Sequence, residues 1–385
     1  MKSGLLQRRA STLALVSAFF LPSAFPQNPS QQNPCDVLKL ANSASQGFKV
    51  YSPNGSRFVV NKEDSNGVAQ IYAGNNESAN ITCLTCTQRP GGPKPNRQKM
   101  QPRWHPSGRW IFLAVERDRY SPPPLLGLSR KYVEGQLQNG IWTNMYALSS
   151  DGTQWRQLTD FQSGKPGVPD GYTGPAFTPD GTRAVWSQIV DGNVFRYTFG
   201  KWKVMLADFV ERNGAPELVN PRNITPAGMD WNEPGNFSPD NESLLLSGSI
   251  QKHAEGMDQY VLNINTGALT NLTNSPTVWD EHGRFSPDGT KIVFMSSYPY
   301  RREPNSSKVL SIKTEFMLMD RNGSLTQLTH FREKGYPEYS TKGGIAANPE
   351  WSADGRSISL RRLFFPTYED WEITFRGACG RSSPQ

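Results

Sequence analysis

Phe285-Ser-Pro-Asp-Gly289, followed by Lys291-Ile-Val-Phe294, is the stretch on which the fold turns. The proline fixes φ at the first corner of a turn. The aspartate tolerates the bend and bonds its own backbone, and the glycine accepts positive φ. The aromatic ends one strand, and the apolar run after the turn opens the next. The pattern recurs at residues 51–55, 104–108, 177–181, 237–241 and 351–355. Six copies, starting 53, 73, 60, 48 and 66 residues apart, make this a repeat protein.

A second pattern follows most copies: an alternating strand, a polar turn, then a short strand ending in Leu-Thr. Gln259-Tyr-Val-Leu262 leads through Asn265-Thr-Gly267 to Asn271-Leu-Thr273. Glu315-Phe-Met-Leu-Met319 leads through Arg321-Asn-Gly323 to Gln327-Leu-Thr329. Residues 70–85 and 144–159 repeat it, and 203–225 form a longer version. Asn-Gly and Asp-Gly between alternating runs mark hairpins. Each repeat therefore holds four strands. A lone four-stranded sheet leaves its faces open, whereas sheets set radially cover one another. The expected fold is all-β: a six-bladed β-propeller with four-stranded blades.

The sixth repeat lacks its Leu-Thr strand. Residues 36–40, ahead of the first repeat, are spare, and they are expected to close the ring beside residues 371–375. That closure brings Cys35 towards Cys379, and a disulfide is expected there. Cys83 and Cys86 form a C-x-x-C among strand-like residues. No second pair completes a zinc site, and Thr87 rather than His follows Cys86, so a local disulfide is expected.

Lys2, Arg8 and Arg9 precede an apolar run over 11–21 and the small-residue site Pro22-Ser-Ala24. This reads as a signal peptide over 1–24, too short to span a bilayer. Residues 25–47 then supply the closing strand, 48–377 the propeller and 378–385 a tail. A periplasmic or secreted protein is expected, without a stable membrane span after cleavage. The net charge is +7, of which the leader carries +3, leaving +4 on the rest. So mild a charge gives no reason to expect nucleic acid.

Over roughly residues 48–376 these motifs resemble the TolB-type, WD-repeat-like propeller family. The resemblance implies the six-bladed fold but no single activity. The family includes a periplasmic Tol–Pal component, propeller lobes of serine peptidases and sugar-processing lyases. The chain holds no Gly-x-Ser-x-Gly, so peptidase activity is not expected. Its four histidines disfavour a lyase built on several metal-binding histidines.

Function is expected where loops gather around the channel. Two parallel stretches stand there, Asp230-Trp-Asn-Glu-Pro-Gly235 and Trp279-Asp-Glu-His-Gly283. The candidate ligand-binding residues are Arg103, Trp231, Glu233, Trp279, Asp280, Glu281, His282 and Glu350. The tryptophans offer stacking surfaces to a saccharide. No cofactor is expected, except that Glu233, Asp280, Glu281 and His282 offer oxygen and imidazole ligands suited to a divalent cation. Residues 117–119, 252–253, 301–302 and 361–362 suggest a basic collar, and the Pro-rich insertion 120–140 suggests a cover for the channel. The expected function is a monomeric binding scaffold that holds a protein partner or a small ligand such as a saccharide. The alternative is a carbohydrate-active hydrolase or lyase using acids such as Glu233 and Asp280. A glycosidase pair would stand about 5–9.5 Å apart.

Overall fold

The computed structural model describes residues 33–43, 47–75, 80–117, 137, 139–161, 170–191, 201–250, 256–275, 277–308, 311–364 and 367–380. The expected leader, residues 118–119 and 252–253, the tail from 381 and nearly all of the Pro-rich insertion lie outside these.

The chain opens with β1 (Val37–Asn42). Blade 1 is β2 (Val50–Tyr51), β3 (Arg57–Glu63), β4 (Ala69–Asn75) and β5 (Ile81–Cys83). Blade 2 is β6 (Lys99–Trp104), β7 (Trp110–Glu116), β8 (Thr143–Ser149) and β9 (Trp155–Gln157). Blade 3 is β10 (Tyr172–Phe177), β11 (Arg183–Asp191), β12 (Lys201–Arg212) and β13 (Ala215–Asn223). Blade 4 is β14 (Met229–Phe237), β15 (Ser243–Ile250), β16 (Asp258–Asn263) and β17 (Leu269–Asn271). Blade 5 is β18 (Asp280–Phe285), β19 (Lys291–Ser296), β20 (Glu315–Asp320) and β21 (Leu325–Gln327). Blade 6 is β22 (Ile345–Trp351), β23 (Ser357–Phe364) and β24 (Thr367–Phe375), with β1 as its outer strand. The six antiparallel sheets form a six-bladed β-propeller. First strands of successive blades touch from β2 through β6, β10, β14 and β18 to β22, and so line the channel.

Both repeat patterns have a local cause. In the turns the hydroxyl after the repeat aromatic donates to the acid two residues on: Ser238 to Asp240 at 2.6 Å, Ser286 to Asp288 at 2.7 Å and Ser352 to Asp354 at 2.7 Å. The same acid then accepts backbone N–H groups at the start of the next strand, as Asp288 does from Thr290. In Leu-Thr the leucine adds the last backbone bond of the outer strand. The threonine hydroxyl then accepts the N–H of the third strand. Leu272 N donates to Gln259 O at 2.8 Å, and Gln259 N to Thr273 Oγ1 at 3.1 Å. Thr85, Thr159, Thr225 and Thr329 do the same in their blades. The core lies in the layers between blades. Leu244 and Leu246 of blade 4 pack with Val185 and Leu206 of blade 3, all fully buried. Each such side chain contributes roughly 1.5–3 kcal/mol.

The ring closes as the sequence implied. β1 pairs antiparallel with β24, from Val37 opposite Phe375 to Asn42 opposite Trp371. Cys35 and Cys379 are bonded across 344 residues, and Cys83 is bonded to Cys86. Among the described residues no helix is long and apolar enough to cross a membrane.

Candidate functional site in the channel

The first strands do not run smoothly past the axis. Irregularities fall between Met100 and Arg103 in β6, Thr173 and Ala176 in β10, and Pro234 and Phe237 in β14. Two more fall between Glu281 and Arg284 in β18 and between Ala347 and Glu350 in β22. An extra residue of this kind re-aims its neighbours' side chains. In four blades the residue three before the repeat aromatic takes positive φ: Gln101 at 52°, Gly174 at 65°, His282 at 57° and Asn348 at 48°. Blade 4 has Pro234 there, whose ring forbids it, and its irregularity falls one residue later. For His282 the left-handed backbone costs about 1–2 kcal/mol.

The bend brings six ionisable groups together. His282 Nε2 lies 3.2 Å from Glu233 Oε2. Ligating atoms of Glu233, Glu281 and His282 all fall within 4.8 Å of one another. Glu281 Oε2 accepts a bond from Trp279 Nε1 at 2.8 Å, and His282 Nδ1 lies 3.1 Å from Met295 Sδ. Glu350 Oε2 stands 3.6 Å from Arg284 Nε and 3.7 Å from Arg103 Nη1. Arg284 Nη1 also donates to Gly283 O at 3.0 Å. The groups come from blades 2, 4, 5 and 6. With the imidazole protonated and all three carboxyls ionised, their charges cancel.

Burial opposes each charge, and the neighbours decide which survive. Burial pushes Glu233 up, but His282, Arg284 and Arg103 outweigh it and hold the carboxyl below its ordinary range. Burial raises Glu281, and the Glu233 carboxylate adds to that, against opposition from His282, Trp279 and Trp231. Burial would lower His282, but Glu233 and Glu281 reverse this and raise it. Burial, then the nearby Arg103, bring Arg284 down to about 10. Two adjacent carboxyls are thus driven apart.

Asp280 does not join them. Successive side chains of a strand face opposite ways, so Glu281 reaches the axis and Asp280 turns into the layer between blades 4 and 5. There Asp280 Oδ2 accepts a bond from Ser275 Oγ at 2.8 Å, and Ser275 Oγ also lies 3.3 Å from Asp258 Oδ1. Burial pushes Asp280 up to about 7; hydroxyls of Ser296, Ser275 and Thr273 oppose this, while Asp258 adds to it. Nor do the indoles lie open for stacking. Trp279 is buried, and Trp231 packs edge-on against Trp202 with centroids 5.3 Å apart. Four described members of the basic collar are engaged elsewhere. Arg117 pairs with Asp170 at 2.7 Å, Arg361 with Asp370 at 2.8 Å, and Arg301 stacks on Tyr298. Arg362 is buried, donating to the Gly343 and Glu338 carbonyls. Arg284 is the site residue that sequence reasoning missed. Its signal was available: like Arg103 and Glu350, it stands immediately before a repeat aromatic.

No family model matches the chain. No curated protein matches it in sequence. Solved structures do match. One is a putative TolB from Agrobacterium tumefaciens, 18% identical, with 78% of this chain and 82% of that one covered and a TM-score of 0.49. Another is TolB from Acinetobacter baumannii, 12% identical, with 86% and 63% covered and a TM-score of 0.47. A third is an oligogalacturonate lyase in complex with manganese, 11% identical, with 87% and 91% covered and a TM-score of 0.47. None of these likenesses assigns a ligand or a reaction to this chain.

Proposed function

We propose that this chain is an exported, monomeric binding propeller. Its channel takes up a polar ligand, a protein loop or a saccharide, through Arg103, Glu233, Glu281, His282, Arg284 and Glu350. The convergence of these six groups into a neutral cluster carries the reading. A buried charge without a partner is costly, so such a cluster suits a ligand that replaces one partner with another. The paired-acid alternative loses its residues, since Glu233 is ion-paired with His282 and Asp280 lies in the layer between blades. One observation favours an acid–base reading instead: Glu281 is raised while Glu233 is lowered, a separation that proton-transfer sites use. Glu233, Glu281 and His282 are also the set that would hold a divalent cation. Two disulfides support folding in an oxidising compartment, periplasmic or extracellular.

A thermal-shift screen of oligosaccharides and divalent cations, run on the wild type and on Glu233→Gln, tests this. The expected result is a rise in Tm for the wild type that the variant loses, with the oligosaccharide recovered intact. Time-dependent cleavage that Glu281→Gln abolishes would overturn it in favour of the enzyme.

A further inference from the structure

In blades 1, 2 and 3 the first residue of the second strand reaches across to the next blade at the turn face; in blade 5 it is Lys291, which pairs with Asp320 of its own blade at 2.7 Å, and in blade 6 it is Ser357. In blade 1 this is Arg57, whose Nη2 donates to Ser150 O of the blade 2 hairpin turn at 2.9 Å. In blade 3 it is Arg183, which reaches blade 4 twice: Nη1 to Asn265 Oδ1 at 2.9 Å and Nη2 to Asn241 O at 3.4 Å. In blade 2 it is Trp110, whose Nε1 donates to Glu211 Oε1 of blade 3 at 3.2 Å. In blade 4 it is Ser243, whose hydroxyl turns back to Asp240 Oδ2 at 2.8 Å.

A groove of about 600 Å³ stands open beyond it, between blades 4 and 5. Ser243, Asn322 and Gly289 line it. The last two are blade 5's counterparts of Asn265 and Asn241, the residues that receive Arg183. Leu272, Phe285 and Met319 give the groove an apolar floor. Asp240, Asp288 and Asp320 stand at its rim with Arg321; Asp320 is already paired with Lys291, so the acids still outnumber the bases by one.

We propose that this groove is a socket for an arginine side chain presented by a protein partner. The chain's own arginines show what such a crevice accepts. The apolar floor covers the methylene stem, and the planar guanidinium meets the Asn322 side chain and the rim carboxylates. A lysine supplies the charge without the fork. The groove lies on the turn face, so this proposal stands independently of the channel site.

The test uses an acetylated, amidated Gly-Ser-Arg-Ser-Gly peptide and its lysine counterpart, followed by amide chemical shifts of the full chain. The arginine peptide is expected to perturb Asn322 and Gly289 saturably, and the lysine peptide to bind about tenfold more weakly. Ser243→Arg fills the socket from within, so it should abolish binding and raise Tm. Asn322→Ala, on an exposed turn, should weaken binding with the fold intact. No perturbation at the groove, or unchanged binding to either variant, overturns the proposal.

Discussion

Blade 6 closes with the front of the chain: β1 lies along β24, Cys35 is bonded to Cys379, and Gly380 N donates to Gly355 O. Gly380 also lies so close to Ser286 and Trp351 that a Cβ there would crowd both. Backbone ladder, covalent bond and packing hold this seam. The junction of blades 4 and 5 is built otherwise. Gly235 approaches the Gly283 carbonyl too closely for any side chain, and Asn236 exchanges two hydrogen bonds with the Phe285 backbone. Around that contact sit the Glu233–His282 ion pair, the Asp258 and Asp280 carboxyls and the open groove. Buried ionisable groups are weak contributors to stability, and apolar packing often replaces them without loss. Here they stand beside the channel and the open groove, which sets this junction apart from the seam.

Breaking the seam gives the largest effect. Cys35→Ser with Cys379→Ser frees a loop of nearly the whole chain, and a disulfide of this kind contributes about 2–4 kcal/mol. Urea unfolding of the double variant beside the wild type should show a loss of that size. An unchanged midpoint would mean that the β1–β24 ladder alone closes the ring.

The second effect sharpens the contrast through pH. Asp280, pushed up to about 7 by burial, lies above the roughly 3.9 of an unfolded aspartate. Its contribution to stability is fully present below about pH 4 and is lost as pH rises through about 7. Glu315, raised to about 7 by burial, has the same sign. Between pH 6 and 8 the wild type should therefore lose about 1 kcal/mol through Asp280. Asp280→Asn should flatten that part of the slope. Equal slopes in urea midpoints at the two pH values would show that Asp280 does not titrate there. The seam variant should keep the wild-type slope.

What the sequence made legible was whatever repeats. The Ser-Pro-Asp turn and the Leu-Thr ending are visible because each is a local hydrogen-bond device used in several blades. The seam is visible because one repeat lacks a strand and a spare one precedes the first. The channel was harder. Glu281 and Asp280 are adjacent, and strand alternation settles which one faces the axis only when the irregularity after Glu281 is known. Gly174 advertises such a site; His282 in the same backbone conformation does not. The groove was hidden for another reason. It opens beyond Ser243, at the position where blades 1 and 3 place an arginine, which shows only when second-strand starts are compared across blades.

The smallest effect on stability is the most specific to the channel. In Glu233→Gln the side chain keeps its shape and loses its charge. For His282 this removes the larger of the two carboxylate influences raising it, while burial and Arg284 still act to lower it. The imidazole of the metal-free protein, followed by NMR across pH, should therefore titrate lower than in the wild type. The Asp280 slope should stay as it was, because Asp280 faces the layer between blades and not the axis. If the His282 midpoint does not move, Glu233 does not govern that charge and the cluster is not balanced as its geometry implies. If it falls while the seam and the Asp280 slope hold, the junction of blades 4 and 5 contains two electrostatic systems back to back: a structural one within the blade layer, and one at the axis left free to answer a ligand.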